Sequence, residues 1–225
     1  MKYKTFVALF ALALSTTLQA TPQFRFGELL VQPDKVEIYR QAIHTDIADT
    51  LPNEQTAFTM YALPKAAQPN DFFVVEIYQD AAAEQVHRAK PWYKKFVADT
   101  QGIYLDRQLI EVEPRFILEA PAAITLENNT PARVSRYRAT ENNADLTPVF
   151  KQQRGQLTNG RIATYLVQST TNSALWYVID VYRDNAALQA DAVPTAFNNL
   201  AKLEQRDEIQ NGVMANKGGL SFDKK

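Results

Sequence analysis

One stretch of this chain is written twice. FFVVEIYQDAAAEQVHRAKPWYKKF, from Phe72 to Phe96, returns as WYVIDVYRDNAALQADAVPTAFNNL, from Trp176 to Leu200, at a constant offset of 104 residues and without a gap. Val74/Val178, Tyr78/Tyr182, Asp80/Asp184, Ala82/Ala186, Ala83/Ala187 and Gln85/Gln189 are identical, and Glu76/Asp180 and Ile77/Val181 keep their character. A repeat of this kind constrains the chain to two copies of one fold.

Each copy opens with a strand whose alternation separates two faces. Phe73, Val75 and Ile77, repeated as Tyr177, Ile179 and Val181, are apolar and are expected to pack under helices. Phe72, Val74, Glu76 and Tyr78, repeated as Trp176, Val178, Asp180 and Tyr182, carry one carboxylate per copy and are expected to line an interior between the copies. Asp80 and Asp184 then stand where helix N-caps are wanted, ahead of alanine-rich runs that Pro91 and Pro194 interrupt. The reading is a short helix, a corner and a second helix.

Around this centre, Phe24 to Val31 reads as a first strand, and Val36, Tyr39, Ile43 and Ile47 form the buried stripe of a first helix. Thr56 to Leu63 is a second strand, and Ile103 to Val112 a fourth that Pro114 ends or kinks. The order strand, helix, strand, strand, helix, strand predicts a ferredoxin-like α+β domain, an antiparallel sheet with helices on one face. The first domain is placed at residues 22–117, a proline-rich linker at 118–131 and the second domain at 132–225. In the second copy Arg161 to Val167 matches the second strand, Tyr165 against Tyr61, and the fourth strand falls in Asn211 to Lys225.

Residues 1–20 read as a signal peptide: Lys2 and Lys4, an apolar run from Phe6 to Leu14, and Leu18-Gln19-Ala20 before the cut. The run is short for a membrane span, so an exported protein, periplasmic or secreted, is expected. The chain has no cysteine, which excludes disulfides, thiolate metal sites and a cysteine nucleophile. Its two histidines form no H-E-x-x-H pattern, and its seven glycines form no phosphate-binding loop, so no metal and no cofactor is expected. The formal charge of −1 leaves no basic excess for nucleic acid.

The strand VVEIYQD, the alanines after it, His87 and then KPWYKKF resemble the antibiotic biosynthesis monooxygenase domain, a ferredoxin-like domain of the dimeric α+β barrel superfamily that includes quinol monooxygenases. The resemblance implies that two such sheets close face to face into an α+β barrel. Because the chain carries both halves, a monomer with an internal pseudo-dimer is expected, the rival being a homodimer. It also implies oxidation of a quinol or other electron-rich aromatic by dioxygen without metal or flavin. On that reading His87 is the candidate catalytic base, since an imidazole titrates near neutrality, and Tyr61, Phe72, Glu76, Tyr78, Trp92 and Tyr93 are candidate substrate-binding residues. The alternatives are a packing histidine, core aromatics, and a Glu76 that pairs with Arg25 or Arg107. In the second copy Asp191, Ala196 and Phe197 replace His87, Trp92 and Tyr93, so any chemistry belongs to the first. A non-catalytic cell-envelope module that binds a small aromatic ligand or a protein partner is the other function consistent with these residues.

Overall fold

The repeated N-caps set the frame. The Asp80 carboxylate accepts from Ala83 N at 2.8 Å and the Asp184 carboxylate from Ala187 N at 2.7 Å, each satisfying a free amide at the start of a short helix. The computed structural model of the chain describes residues 21–141, 144–192, 194, 197 and 199–224; the expected signal peptide and Ala196 lie outside them.

The first half runs β1 (Gln23–Val31), α1 (Val36–Asn53), β2 (Ala57–Lys65), β3 (Gln68–Tyr78), α2 (Ala81–Ala89), α3 (Pro91–Asp99) and β4 (Tyr104–Ile110). After β5 (Val112–Glu119), the second runs β6 (Ala132–Ala139), α4 (Thr147–Arg154), β7 (Arg161–Ser169), β8 (Leu175–Tyr182), α5 (Asn185–Ala190) and β9 (Ala201–Ile209), followed by β10 (Val213–Asn216) and β11 (Ser221–Asp223). Antiparallel pairing gives the order β4-β1-β3-β2 in one half and β9-β6-β8-β7 in the other, the ferredoxin-like order twice. The fourth strand of the second half is therefore β9, not the segment 211–225.

That segment does something else. β10 pairs with β2 of the first half, and β5 pairs with β7 of the second, so each half lends a strand to the other's sheet. Ala66 N donates to Glu208 O and Thr170 N to Glu111 O, both at 2.9 Å, at the two places where the halves meet. Pro114 sits at a register shift in β5, which bends the strand from one sheet toward the other without breaking it. Backbone pairing thus crosses the expected boundary at residue 117.

The two faces of the central strands are used the opposite way from the expectation. Phe73, Val75 and Ile77 meet Tyr177, Ile179 and Val181 in the core between the sheets. Phe72 and Tyr78 lie under α1 with Tyr39, Ile43, Ile47 and Leu51, and Trp176 and Val178 under α4 with Val149 and Phe150. The reason is charge pairing: the carboxylate of each central strand falls on the side where a cation meets it, Arg25 beside Glu76 and Arg154 beside Asp180.

At the centre of the inter-sheet core the equivalent tyrosines Tyr61 and Tyr165 join hydroxyls at 2.9 Å, marking the pseudo-two-fold axis. Tyr165 and Thr59 donate to the Glu119 carboxylate at 2.8 and 2.6 Å, and Asn216 Nδ2 donates to the Tyr61 hydroxyl at 2.9 Å. Burial pushes the Glu119 carboxyl above the usual range against these donors. Tyr61 thus belongs to the barrel interior, on the far side of the sheet from His87.

Candidate active site

On the helix side of the first sheet a cleft of about 370 Å³ opens between β1, β3 and β4 below and α1 and α3 above. Tyr39 and Ile43 come from α1, Tyr93 and Phe96 from α3, Tyr104, Arg107 and Leu109 from β4, and Arg25, Gly27, Val74 and Glu76 from the sheet. Gly27 lies in the sheet floor: a Cβ there would stand 2.9 Å from the Gln108 carbonyl, so β1 and β4 approach closely only because position 27 has no side chain. The walls are aromatic and the floor carries the charge.

That charge is held in place from two sides. The Tyr78 hydroxyl donates to Glu76 Oε2 at 3.0 Å, and Arg25 Nε lies 3.5 Å from the same oxygen. Arg25 reaches on to Glu84 at 2.6 Å, which also receives Arg88 at 2.8 Å. Arg107 packs its guanidinium over Tyr104 at 5.3 Å and has no carboxylate partner among the described residues. The cleft therefore offers one carboxylate, two guanidinium groups and flat apolar walls, which suits a small planar molecule with an acidic hydroxyl.

His87 stands behind this cleft, not in its wall. It is 1% exposed on the last turn of α2, where Nδ1 donates to Glu54 Oε1 at 3.0 Å. Trp92 Nε1 donates to the same oxygen at 2.7 Å. Tyr78 lies 5.4 Å from the imidazole, centre to centre, and Tyr93 meets it edge-on at 5.0 Å. Of the seven residues singled out in the sequence, Glu76 and Tyr93 line the cleft, and Tyr78, His87 and Trp92 form a layer behind it. Phe72 is buried against Tyr39 in the helix-side core, and Tyr61 is in the barrel interior.

Two acids were missed. Glu54 caps the C-terminal end of α1, where the helix dipole disfavours an anion, and Lys217 donates to its backbone carbonyl at 2.5 Å. Asp46, 3% exposed on the same helix, has its carboxyl raised to about 7. Burial is the main cause, with Glu76, Glu54 and Asp49 adding to it and His87 opposing. Burial and the neighbouring Glu76 also push the Tyr78 phenol far above its usual range, so it stays a hydroxyl. The signal was legible in principle, for Asp46 lies three residues after Ile43 and so falls on the buried stripe.

The equivalent place in the second half is filled. Arg154 bridges Asp180 at 2.8 Å and Asp191 at 2.6 Å, and Arg161 meets Asp191 at 3.1 Å. Thr164 and Tyr182 donate to the two carboxylates, and Phe197 closes over Phe150 and Tyr137. Burial alone would raise the Asp191 carboxyl, but Arg154 and Arg161 hold it below the usual range. Two cations and two anions, all nearly inaccessible, fill this seam with a neutral cluster.

Residues 23–99 match the family model described as antibiotic biosynthesis monooxygenase. That match spans the first repeat from β1 to the end of α3. Solved structures extend the similarity to both repeats. "Putative monooxygenase" from Fusobacterium nucleatum superposes with a TM-score of 0.81 at 23% identity, covering 92% of this chain and 99% of that one. "Putative monooxygenase" from Lactobacillus acidophilus NCFM gives 0.76 at 17% identity, covering 91% and 100%. An "anthrone oxidase-like protein" gives 0.55 at 12%, covering 85% and 92%. At these identities the likeness is one of fold, and it extends over both halves of the chain. No curated protein matches the chain. Among the described residues no group of three or more His, Cys, Asp or Glu side chains could hold a metal ion, and no helix is long and apolar enough to cross a membrane.

Proposed function

We propose that the cleft of the antibiotic biosynthesis monooxygenase domain binds a small dihydroxyaromatic and oxidises it with dioxygen, the substrate itself supplying the electrons. The observation that carries this reading is Glu76, a carboxylate set on the cleft floor between Arg25 and Tyr78 and roofed by Tyr39, Tyr93 and Phe96. Glu76 takes a hydroxyl proton, and Arg25 and Arg107 stabilise the phenolate. The phenolate passes one electron to dioxygen; the resulting superoxide and semiquinone combine at a ring carbon. Glu76 returns its proton to the peroxide anion so formed, and the hydroperoxide loses water, so one oxygen atom stays on the ring as a hydroxyquinone and the other leaves as water. His87 acts from behind, through Glu76 and Tyr78, in place of the direct base role expected of it.

The test is oxygen uptake with hydroquinone, catechol and dihydroxynaphthalenes. The wild type consumes oxygen, and Glu76→Gln loses about 10²–10⁴-fold in kcat, the usual range for a general base. Uptake no faster than buffer, or equal rates in the variant, overturns the reading. Binding without uptake would make the cleft a ligand-carrying module instead. The protein is further proposed to act after export, on the strength of Lys2, Lys4 and the apolar run to Leu14; intact mass of the secreted or periplasmic protein should place its first residue at Thr21.

A further inference from the structure

Strand register sorts the floor of the cleft into three rows. Arg25 faces Glu76 in the first, Val74, Gly27 and Leu109 stand abreast in the second, and Leu29 faces Arg107 in the third. The second row is flat and apolar, since Gly27 has no side chain and Leu109 is left 53% exposed. The cations of the outer rows differ in what they do. Arg25 is engaged by Glu76 and Glu84. Arg107 packs over Tyr104 and has neither an ion pair nor a side-chain hydrogen bond among the described residues. Tyr39 meets Tyr104 edge-on at 6.1 Å, and its hydroxyl is buried without a hydrogen-bond partner among the described residues. Native interiors rarely leave such an atom bare. This end of the cleft holds an unused cation and an unused hydroxyl, while Glu76, the one carboxylate among the described lining residues, sits at the other end.

We infer that the cleft selects a dihydroxyaromatic acid: the ring lies over Val74, Gly27 and Leu109, one hydroxyl meets Glu76, and a ring carboxylate is bound by Arg107. The inference rests on the role proposed for Glu76 and names the substrate class of that same site. Glu76 and Arg107 stand four residues apart along the strands and two strands apart across them, so their Cα atoms are separated by about 13 Å in one direction and about 10 Å in the other, about 16 Å in all. A benzene ring with a hydroxyl and a para carboxylate, with a hydrogen bond at each end, covers about 12 Å. Two side chains leaning inward close the difference. The planar guanidinium matches the two oxygens of a carboxylate, and the Tyr39 hydroxyl supplies a further donor at that end. When Glu76 takes its proton, such a ligand becomes a dianion, and Arg25 and Arg107 offset the two charges at opposite ends of the ring.

The test is titration calorimetry on the full-length mature chain, under argon so that nothing turns over and at low ionic strength so that the charge is not screened. The two probes are 3,4-dihydroxybenzoate and 3,4-dihydroxybenzamide, alike in shape and different in charge. The wild type binds the benzoate about tenfold more tightly than the amide, the scale of a hydrogen bond to a charged group. In Arg107→Gln that ratio falls to about one, and Arg107→Lys, which keeps the charge and loses the planar fork, retains part of it. A wild-type ratio near one, a tenfold ratio that survives Arg107→Gln, or a failure of both probes to bind overturns the inference. Oxygen uptake with the benzoate is then measured separately. A wild type that prefers the acid through Arg107 and consumes no oxygen sinks the proposed oxidation and leaves the acid site standing.

Discussion

Asp46 is a carboxyl that the fold prefers protonated, and this has a measurable sign. Its folded-state value of about 7 lies above the unfolded value near 3.8. Its contribution to stability is therefore fully present below the unfolded value and is lost as pH rises through about 7. Asp46→Asn keeps the shape and removes the titration. The variant should gain stability relative to wild type between pH 5 and pH 8, by on the order of a few kcal/mol. Thermal melts across that range would show it, and a difference that stays flat with pH would refute the assignment. At this scale the sequence was partly legible. The pairing of Glu76 with Arg25 followed from adjacent strands, and the position of Asp46 on the α1 stripe was there to be read. Glu54 was not, because it lies beyond the helix and reaches His87 only through the folding-back of α2.

Among elements, the same helix-on-sheet seam has two fates. Between α1, α3 and the first sheet it is an open cleft, and between α4, α5 and the second it is closed by Arg154, Arg161, Asp180 and Asp191. The replacement of His87 by Asp191 was visible in the repeat, but the two arginines that neutralise it come from α4 and β7, outside the well-matched stretch. A buried ion cluster of this kind is strongly hurt by losing one member. Arg154→Met should cost about 3–5 kcal/mol in urea unfolding, since it leaves two buried carboxylates to share Arg161 alone. A cost below about 1 kcal/mol would mean that the cluster is solvated. The faces of β3 and β8 were misread for a related reason. Both faces of these strands are buried, one by helices and one by the opposing sheet, so alternation separates the faces without saying which way each looks.

For the molecule as a whole, the internal repeat announced two ferredoxin-like halves, and their pairing within one chain is what the structure has. The exchange of β5 and β10 was not legible, because a four-residue strand such as VMAN carries no mark of a partner some 150 residues away. The exchange removes the independence of the halves. Deleting residues 211–225 strips β10 from β2 and β11 from β5, exposing backbone edges at the centre of the barrel. The shortened chain should lose its cooperative melt in both halves, followed by near-UV circular dichroism, while the intact chain unfolds in a single transition. A truncated protein whose first half still melts at the original temperature would show that the lent strands are ornament.

Severing the connection between residues 120 and 131 should for the same reason do little harm. Each piece would still carry a ribbon that belongs in the other's sheet, and neither could satisfy its own backbone without it. Two polypeptides made separately from the two sides of that cut are expected to find each other in solution and rebuild the barrel. A gene split at this point would encode an obligate pair of subunits, with the open cleft on one and the sealed counterpart on the other.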